Sequence, residues 1–283
     1  MSNTGEQLAT SDGSQSPIVG AGSGLAPASS SDTGPVLVAR DVVVSYGGVH
    51  AVDKVSISVA RGEIVGIIGP NGAGKSSFLG ALGGQVKRSG GEISLQGRDI
   101  GSLLPHQRAR LGLARTFQTT SEFAKMTVFE NLVTSGEGDS GASLKAVVLH
   151  PRQTAQRERE MTNRAWGILQ RFEMEHTVNL YGRELSGGQR RLVEIMRCLM
   201  RHPAVLLLDE PMVGVAPHLT GKLIEDLRAI RRDGLGIVIV EHALEVVRQL
   251  CDRVVVMAFG KVIAQGSFEE VVQDASVQAA YLS

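Results

Sequence analysis

Eight consecutive residues, Gly69, Pro70, Asn71, Gly72, Ala73, Gly74, Lys75 and Ser76, restrict this chain more than any other stretch. They follow the apolar run Ile64 to Ile68, which reads as a buried strand, and they lead into Ser77 to Leu82, which reads as a helix. The glycines allow the backbone to turn with its N–H groups facing inward, backed by the positive end of the helix dipole. Lys75 can then reach the β- and γ-phosphates of a nucleotide, and Ser76 can place its hydroxyl on Mg2+. Gly-rich strand-to-helix turns also occur for packing alone. Gly-Lys-Ser between a strand and a helix sets this one apart.

A loop of that kind needs an α/β core, and the 283 residues suffice for one large folded unit with subdomains. Lys plus Arg equals Asp plus Glu at 29 each, so no basic field points to nucleic acid. Apolar runs such as Val254 to Phe259 fall well short of the ~20 residues that cross a bilayer. The first residues, Met1 to Glu6, lack the basic and apolar regions of a secretory signal, which makes the cytoplasm the expected location. Cys198 and Cys251 have no metal-ligand spacing and read as core thiols, and the histidines other than His242 read as surface or packing residues. Trp166, at helical spacing with Ala165 and Ile168, reads as core.

Residues 1–35 are dominated by Ser, Gly, Ala, Thr and Asp and read as a disordered tail. From Val36 the texture changes. Val36 to Tyr46 and Val55 to Val59 alternate as strands around a Gly47-Gly48 turn, and Gly91 to Gln96 alternates likewise. A short amphipathic helix is expected near Leu104 to Leu113. The stretch from about 119 to 184 reads as a helical insertion, with periodicity at Val128 to Val133 and Arg157 to Phe172 around a Gly/Ser-rich loop. Beyond it, apolar runs at Val205 to Leu208, Ile237 to Val240 and Val254 to Met257 alternate with helical patterns at Leu219 to Arg232 and Ala243 to Leu250. Strands spaced by helices imply a parallel sheet covered on both faces.

Asp209 and Glu210 end one of those strands, where α/β sheets place ligands. Alone, an acidic pair after an apolar strand can simply begin a loop. Beside a phosphate loop, Asp209 reads as a Mg2+ residue and Glu210 as the group that orients and deprotonates an attacking water. Ser186, Gly187, Gly188 and Gln189 open a helix whose N-cap candidate is Ser186, with free N–H groups at a positive dipole end. That is either an ordinary capped helix or a second anion site.

The phosphate loop, the Leu185-to-Gln189 run and the strand ending at Glu210, in that order and spacing, resemble the ATPase subunits of ABC transporters over about Val36 to Ser283. The resemblance implies a P-loop NTPase core with a mostly parallel sheet, an antiparallel β subdomain and a helical subdomain. It implies ATP and Mg2+ as cofactors. It implies two ATPase domains paired head to tail, with Ser186, Gly187 and Gly188 of one chain on the γ-phosphate held by the other. Further roles follow from it: Tyr46 stacking on adenine, Gln118 sensing Mg2+ and the membrane partner, and His242 on the γ-phosphate. In one respect the chain departs. Where the family usually carries an aspartate after the Asp209-Glu210 strand, this sequence has Ala216, which cannot accept a hydrogen bond.

Gly112 to Leu132 and the closing Ala280-Tyr-Leu282 look like the ATPases of branched-chain amino acid importers. The expected partners are then two membrane permease subunits, a second ATPase subunit and an extracytoplasmic solute-binding protein, with the chain peripheral on the inner face of the cell membrane. An exporter-type ATPase like that of lipopolysaccharide transport shares the Leu103-Leu-Pro and LSGGQRR-like runs. A non-transport ABC ATPase is disfavoured by the single cassette and the lack of heptads.

Overall fold

The computed structural model describes residues 34–116, 124–136 and 151–282. Most of the tail reading, parts of the helical insertion and Gln118 lie outside those residues. Two sheets lie at the centre. Strands β1 (Leu37–Tyr46), β2 (Val49–Val59), β4 (Gly90–Leu95) and β5 (Arg98–Asp99) form an antiparallel sheet in the order β2-β1-β4-β5. The second sheet contains β3 (Ile64–Ile68), β6 (Leu113–Arg115), β7 (Val205–Asp209), β8 (Gly236–Val240), β9 (Arg253–Ala258) and β10 (Lys261–Gly266). Its order is β10-β9-β3-β8-β7-β6, with β10 antiparallel to β9 and the other neighbours parallel.

The period-two geometry of strands explains why β3, β7, β8 and β9 are almost continuously apolar. Val65, Ile67, Leu207, Val238 and Val255 point into a core shared with the antiparallel sheet and helix α1 (Lys75–Gly83). The alternate residues Ile64, Leu206, Leu208, Ile237 and Ile239 point the other way. There they pack against helices α3 (Val128–Gly136), α4 (Pro151–Arg171), α5 (Gly187–Leu199) and α6 (Pro217–Arg232). The remaining helices are α2 (Pro105–Arg110), α7 (Leu244–Leu250), α8 (Phe268–Gln273) and α9 (Ala275–Leu282). Among the described residues no helix is long and apolar enough to cross a membrane.

Two expectations need correction. The helix expected near Leu104 to Leu113 stops at Arg110, and Leu113 begins β6. Gly112 adopts φ +97°, and its carbonyl accepts from Ala204 N (2.8 Å) and Val205 N (3.0 Å). Pairing with β7 therefore captures residues whose spacing alone fits a helix. Trp166 is 40% exposed rather than core, its ring tilted 47° against Phe129 at a centroid distance of 6.0 Å.

Candidate functional site

The turn from β3 into α1 is held by contacts that only glycine permits. A Cβ on Gly69 would lie 2.0 Å from the Met257 carbonyl, and one on Gly74 would lie 2.1 Å from that of Ala51. Both residues also have positive φ, +147° and +96°. The loop is anchored from outside by Gly260, whose N–H donates to Ala73 O at 3.1 Å. Lys75 is buried and folds back along the loop, its Nζ donating to Gly69 O (2.8 Å) and Pro70 O (2.9 Å). Burial holds its ammonium below the usual lysine range, while Glu210 and Asp209 pull the other way. The three charged groups therefore share one field at the carboxyl ends of β3 and β7. Asn71, Gly72 and Ser76 are exposed along the same turn, Pro70 and Ser77 are half-buried, and Ala73 is buried.

Asp209 ends β7 with 2% of its surface exposed. Its Oδ2 accepts from Arg115 Nη2 at 3.0 Å, while Oδ1 is buried without a hydrogen-bond partner among the described residues. An orphaned carboxylate oxygen is costly to bury unless a donor or cation meets it. Glu210 follows in a left-handed conformation, φ +48°, with its N–H bonded to Val240 O at 2.9 Å. That backbone bond ties the end of β7 to the end of β8. Across the gap, His242 Nε2 lies 2.8 Å from Glu210 Oε1. Both side chains are partly exposed, so they face a space that solvent or ligand can enter.

The start of α5 carries the second candidate anion site, beside Gly214 to Ala216. Ser186 Oγ accepts from Gln189 N at 3.2 Å, and Gln189 Oε1 accepts from Ser186 N at 2.9 Å. This reciprocal capping box satisfies two of the helix's free N–H groups. Gly187 is exposed, and a Cβ there would meet only Gly214 O at 3.6 Å. Tyr46 is 55% exposed at the end of β1, where its ring is free to take a planar partner.

A family model described as "ABC transporter" matches residues 52–213, more than half of the chain. The chain belongs to the ABC transporter family. It is 34% identical over 247 residues to a protein from Archaeoglobus fulgidus named probable branched-chain amino acid transport ATP-binding protein LivG, covering 87% of this chain and 95% of that one. It is 36% identical over 247 residues to the Escherichia coli K12 lipopolysaccharide export system ATP-binding protein LptB, covering 87% and 96%. Among solved structures, a nucleotide-free ATP-binding cassette from an ABC transporter matches with a TM-score of 0.77 at 33% identity, over 88% of this chain and 99% of that one. An ADP-bound cassette matches with a TM-score of 0.76 at 35% identity, over the same shares.

This ABC ATPase therefore has the expected α/β architecture and ATP-hydrolysing class. The structure brings Lys75, Asp209, Glu210 and His242 to one end of the parallel sheet. It places Ser186 to Gln189 beside Gly214 to Ala216, with the Val215 Cα 3.5 Å from a Cβ built on Gly188. Three neighbours escaped the sequence reading. Arg115, at the end of β6, becomes the partner of Asp209 only because β6 pairs with β7. Glu241 is 2% exposed and accepts from Met212 N (2.9 Å) and His242 N (3.2 Å); burial pushes its carboxyl up, and those N–H groups oppose the shift. Its position between a buried strand and a histidine was the available signal. Arg191 is the third.

Proposed function

We propose that this ABC ATPase binds MgATP between its own phosphate loop and the Ser186 turn of a second ATPase subunit, and that it powers uptake of branched-chain amino acids or a related small polar solute. The observation that carries the catalytic reading is the 2.8 Å contact between His242 Nε2 and Glu210 Oε1 at the open end of the parallel sheet. Glu210 is placed to accept the proton of an attacking water, and His242 to hold that carboxylate and the γ-phosphate side of the space. Lys75, released from the Gly69 and Pro70 carbonyls, gains a stronger charge-assisted partner in phosphate.

The residues fit a magnesium ion. Asp209 offers a buried, unpartnered Oδ1 and Ser76 an exposed hydroxyl. Among the described residues no group of three or more His, Cys, Asp or Glu could hold a metal alone. That suits Mg2+, which is usually bound by one or two protein oxygens together with substrate phosphates. When bound, Mg2+ neutralises charge on the transferring phosphoryl group. Gln118 is proposed as a further contact to it and Tyr46 as the adenine platform.

Closure of two such subunits over nucleotide, and reopening after hydrolysis, would drive a pair of membrane permease subunits. The proposal sets the chain on the inner face of the cell membrane, with an extracytoplasmic solute-binding protein delivering cargo. The importer assignment draws support from the LivG-named relatives and from the Gly112-to-Leu132 stretch. A second reading, an exporter ATPase, draws on the LptB-named relatives at 35–36% identity. Capture of the full chain from detergent-solubilised native membranes, with identification of the attached subunits, separates the two. Amino-acid-type permeases support import; lipopolysaccharide-export membrane subunits overturn it. For the chemistry, Glu210→Gln is expected to retain ATP binding and to lower turnover by about 100-fold or more.

A further inference from the structure

Arg191 lies on α5, one turn beyond the Ser186 capping box, and is not needed to cap that helix. Its guanidinium crosses instead to the end of β7, where Nη2 donates to the backbone carbonyls of Asp209 and of Glu210, the latter at 3.1 Å. Nη1 donates to Glu194 Oε2 at 2.7 Å, and both side chains of that pair are close to fully buried, at 12% and 9% exposure. Nε is buried without a hydrogen-bond partner among the described residues. Burial pushes the Glu194 carboxyl up, and the hydrogen bond and charge of Arg191 oppose that shift.

The carbonyls that Arg191 grips belong to a segment of unusual backbone. Glu210 sits at φ +48°, a region that a non-glycine residue adopts only when its surroundings enforce it. Part of that enforcement is the Glu210 N–H bond to Val240 O, on the β8 side. The other part is Arg191 on the α5 side, whose planar guanidinium puts Nη2 on both carbonyls while Nη1 stays on Glu194.

We infer that Arg191 is a positioning residue: it fixes the Asp209-Glu210 backbone from the helix that carries Ser186, Gly187 and Gly188, so that the carboxylate of one nucleotide site and the helix terminus offered to the other move as one body. This rests on the reading of Glu210 as the carboxylate that acts on water. A displacement of about one ångström at such a group costs on the order of 100-fold in rate. Loss of the arginine fork therefore lowers kcat and leaves the ATP KM, which depends on the phosphate loop, nearly unchanged.

The test is steady-state hydrolysis of ATP by the full-length chain carrying Arg191→Met, Arg191→Lys or Glu210→Gln, each with its thermal midpoint. The expected result is a kcat lowered by about 10- to 100-fold in Arg191→Met, with KM within about twofold of the parent. Arg191→Lys keeps a cation on α5 but offers one nitrogen where the guanidinium offers two, so it cannot hold Glu194 and both carbonyls from separate, rigidly spaced nitrogens, and its kcat is expected to fall nearly as far; it decides the matter if Arg191→Met does not fold. Parental kcat in Arg191→Lys overturns the positioning role, as does a joint change of kcat and KM that follows a lowered thermal midpoint. Parental kcat in the arginine variants with a collapsed rate in Glu210→Gln sinks Arg191 alone, whereas parental kcat in Glu210→Gln sinks both assignments.

Discussion

Among the described residues, the glycine-bearing starts of α1 and α5 are built in opposite ways. The start of α1 has no side-chain cap: Gly74 occupies the N-cap position at φ +96°, and the turn is shaped by close contact with the Met257 and Ala51 carbonyls. The start of α5 closes on itself through Ser186 and Gln189, and a Cβ on Gly187 would make only an ordinary contact with Gly214 O. Free N–H groups around a buried lysine suit the first to the phosphate-holding role proposed for it. The second has half its donors already answered and, among the described residues, no buried lysine at its tip. That difference agrees with the composite site proposed above, in which one wall would hold the ligand unaided and the other would add contacts after another subunit arrives.

The widest separation between the two turns comes from adding a methyl group to each. Gly69→Ala drives a Cβ to within 2.0 Å of a main-chain oxygen in β9, which cannot yield without shifting the strand. The expected cost is on the order of 4 kcal/mol or more, with loss of ATP binding. Gly187→Ala meets nothing closer than 3.6 Å and is expected to leave the thermal midpoint within about 2 °C of the parent. Equal losses of stability in the two variants, measured by calorimetry, would show that the turns are not built differently.

Lys75→Ala probes the same contrast through charge. It removes the ammonium that lies between the loop carbonyls and the field of Asp209 and Glu210, and ATP affinity is expected to fall by about 100-fold, near 3 kcal/mol of charge-assisted bonding. Binding of a fluorescent ATP analogue would measure it, and unchanged affinity would end the lysine's assigned role. The lowered pKa adds a sign. Because burial favours the neutral amine, affinity of the parent chain declines on the alkaline side before the ordinary lysine range is reached.

The unequal design of the two turns was legible to different depths. Gly69 to Ser76 announces itself because each residue type answers a local need, whether a positive φ, a close approach or a cation. Ser186 was legible as an N-cap, and the capping box with Gln189 bears that out. What spacing could not show is the set of contacts made by strand pairing. Arg115 reaches Asp209 only through the β6–β7 register, and the same pairing displaced the end of the helix expected to run to Leu113. Nor could it show Arg191, whose charge reads as one more solvated position on an amphipathic helix until β7 is placed beside it. Antiparallel β10, which closes the sheet edge and anchors Ala73 through the Gly260 turn, carries no strong alternation and was likewise silent.

Ser186→Ala tests the helix-capped turn on its own terms. Removing the hydroxyl that accepts from Gln189 N should cost about 1 kcal/mol of stability. ATP affinity of the single subunit should not change, since this turn is proposed to serve the other chain's nucleotide. A Lys75-like loss of affinity in the isolated subunit would place Ser186 in its own chain's site and break the division between the two turns.

The smallest expected effect concerns the residue that departs from the family pattern. Ala216 is the N-cap of α6 with φ −65° and ψ 146°, and no side chain caps the helix there, although Pro217 provides a favourable first position. Ala216→Asp would supply an acceptor for the orphaned N–H groups of α6 and a negative charge at its positive end, worth about 1 kcal/mol and a rise of about 2–4 °C in Tm. The same carboxylate would stand beside the Gly187-Gly188 turn, where Val215 and Ala216 pack within 3.8 Å of a Cβ placed on Gly188. A negative charge there opposes an anion approaching the α5 terminus. A raised Tm together with a higher apparent KM for ATP, measured at subunit concentrations where dimers form, would place this segment at the shared site. A raised Tm with unchanged kinetics would confine Ala216 to its own helix.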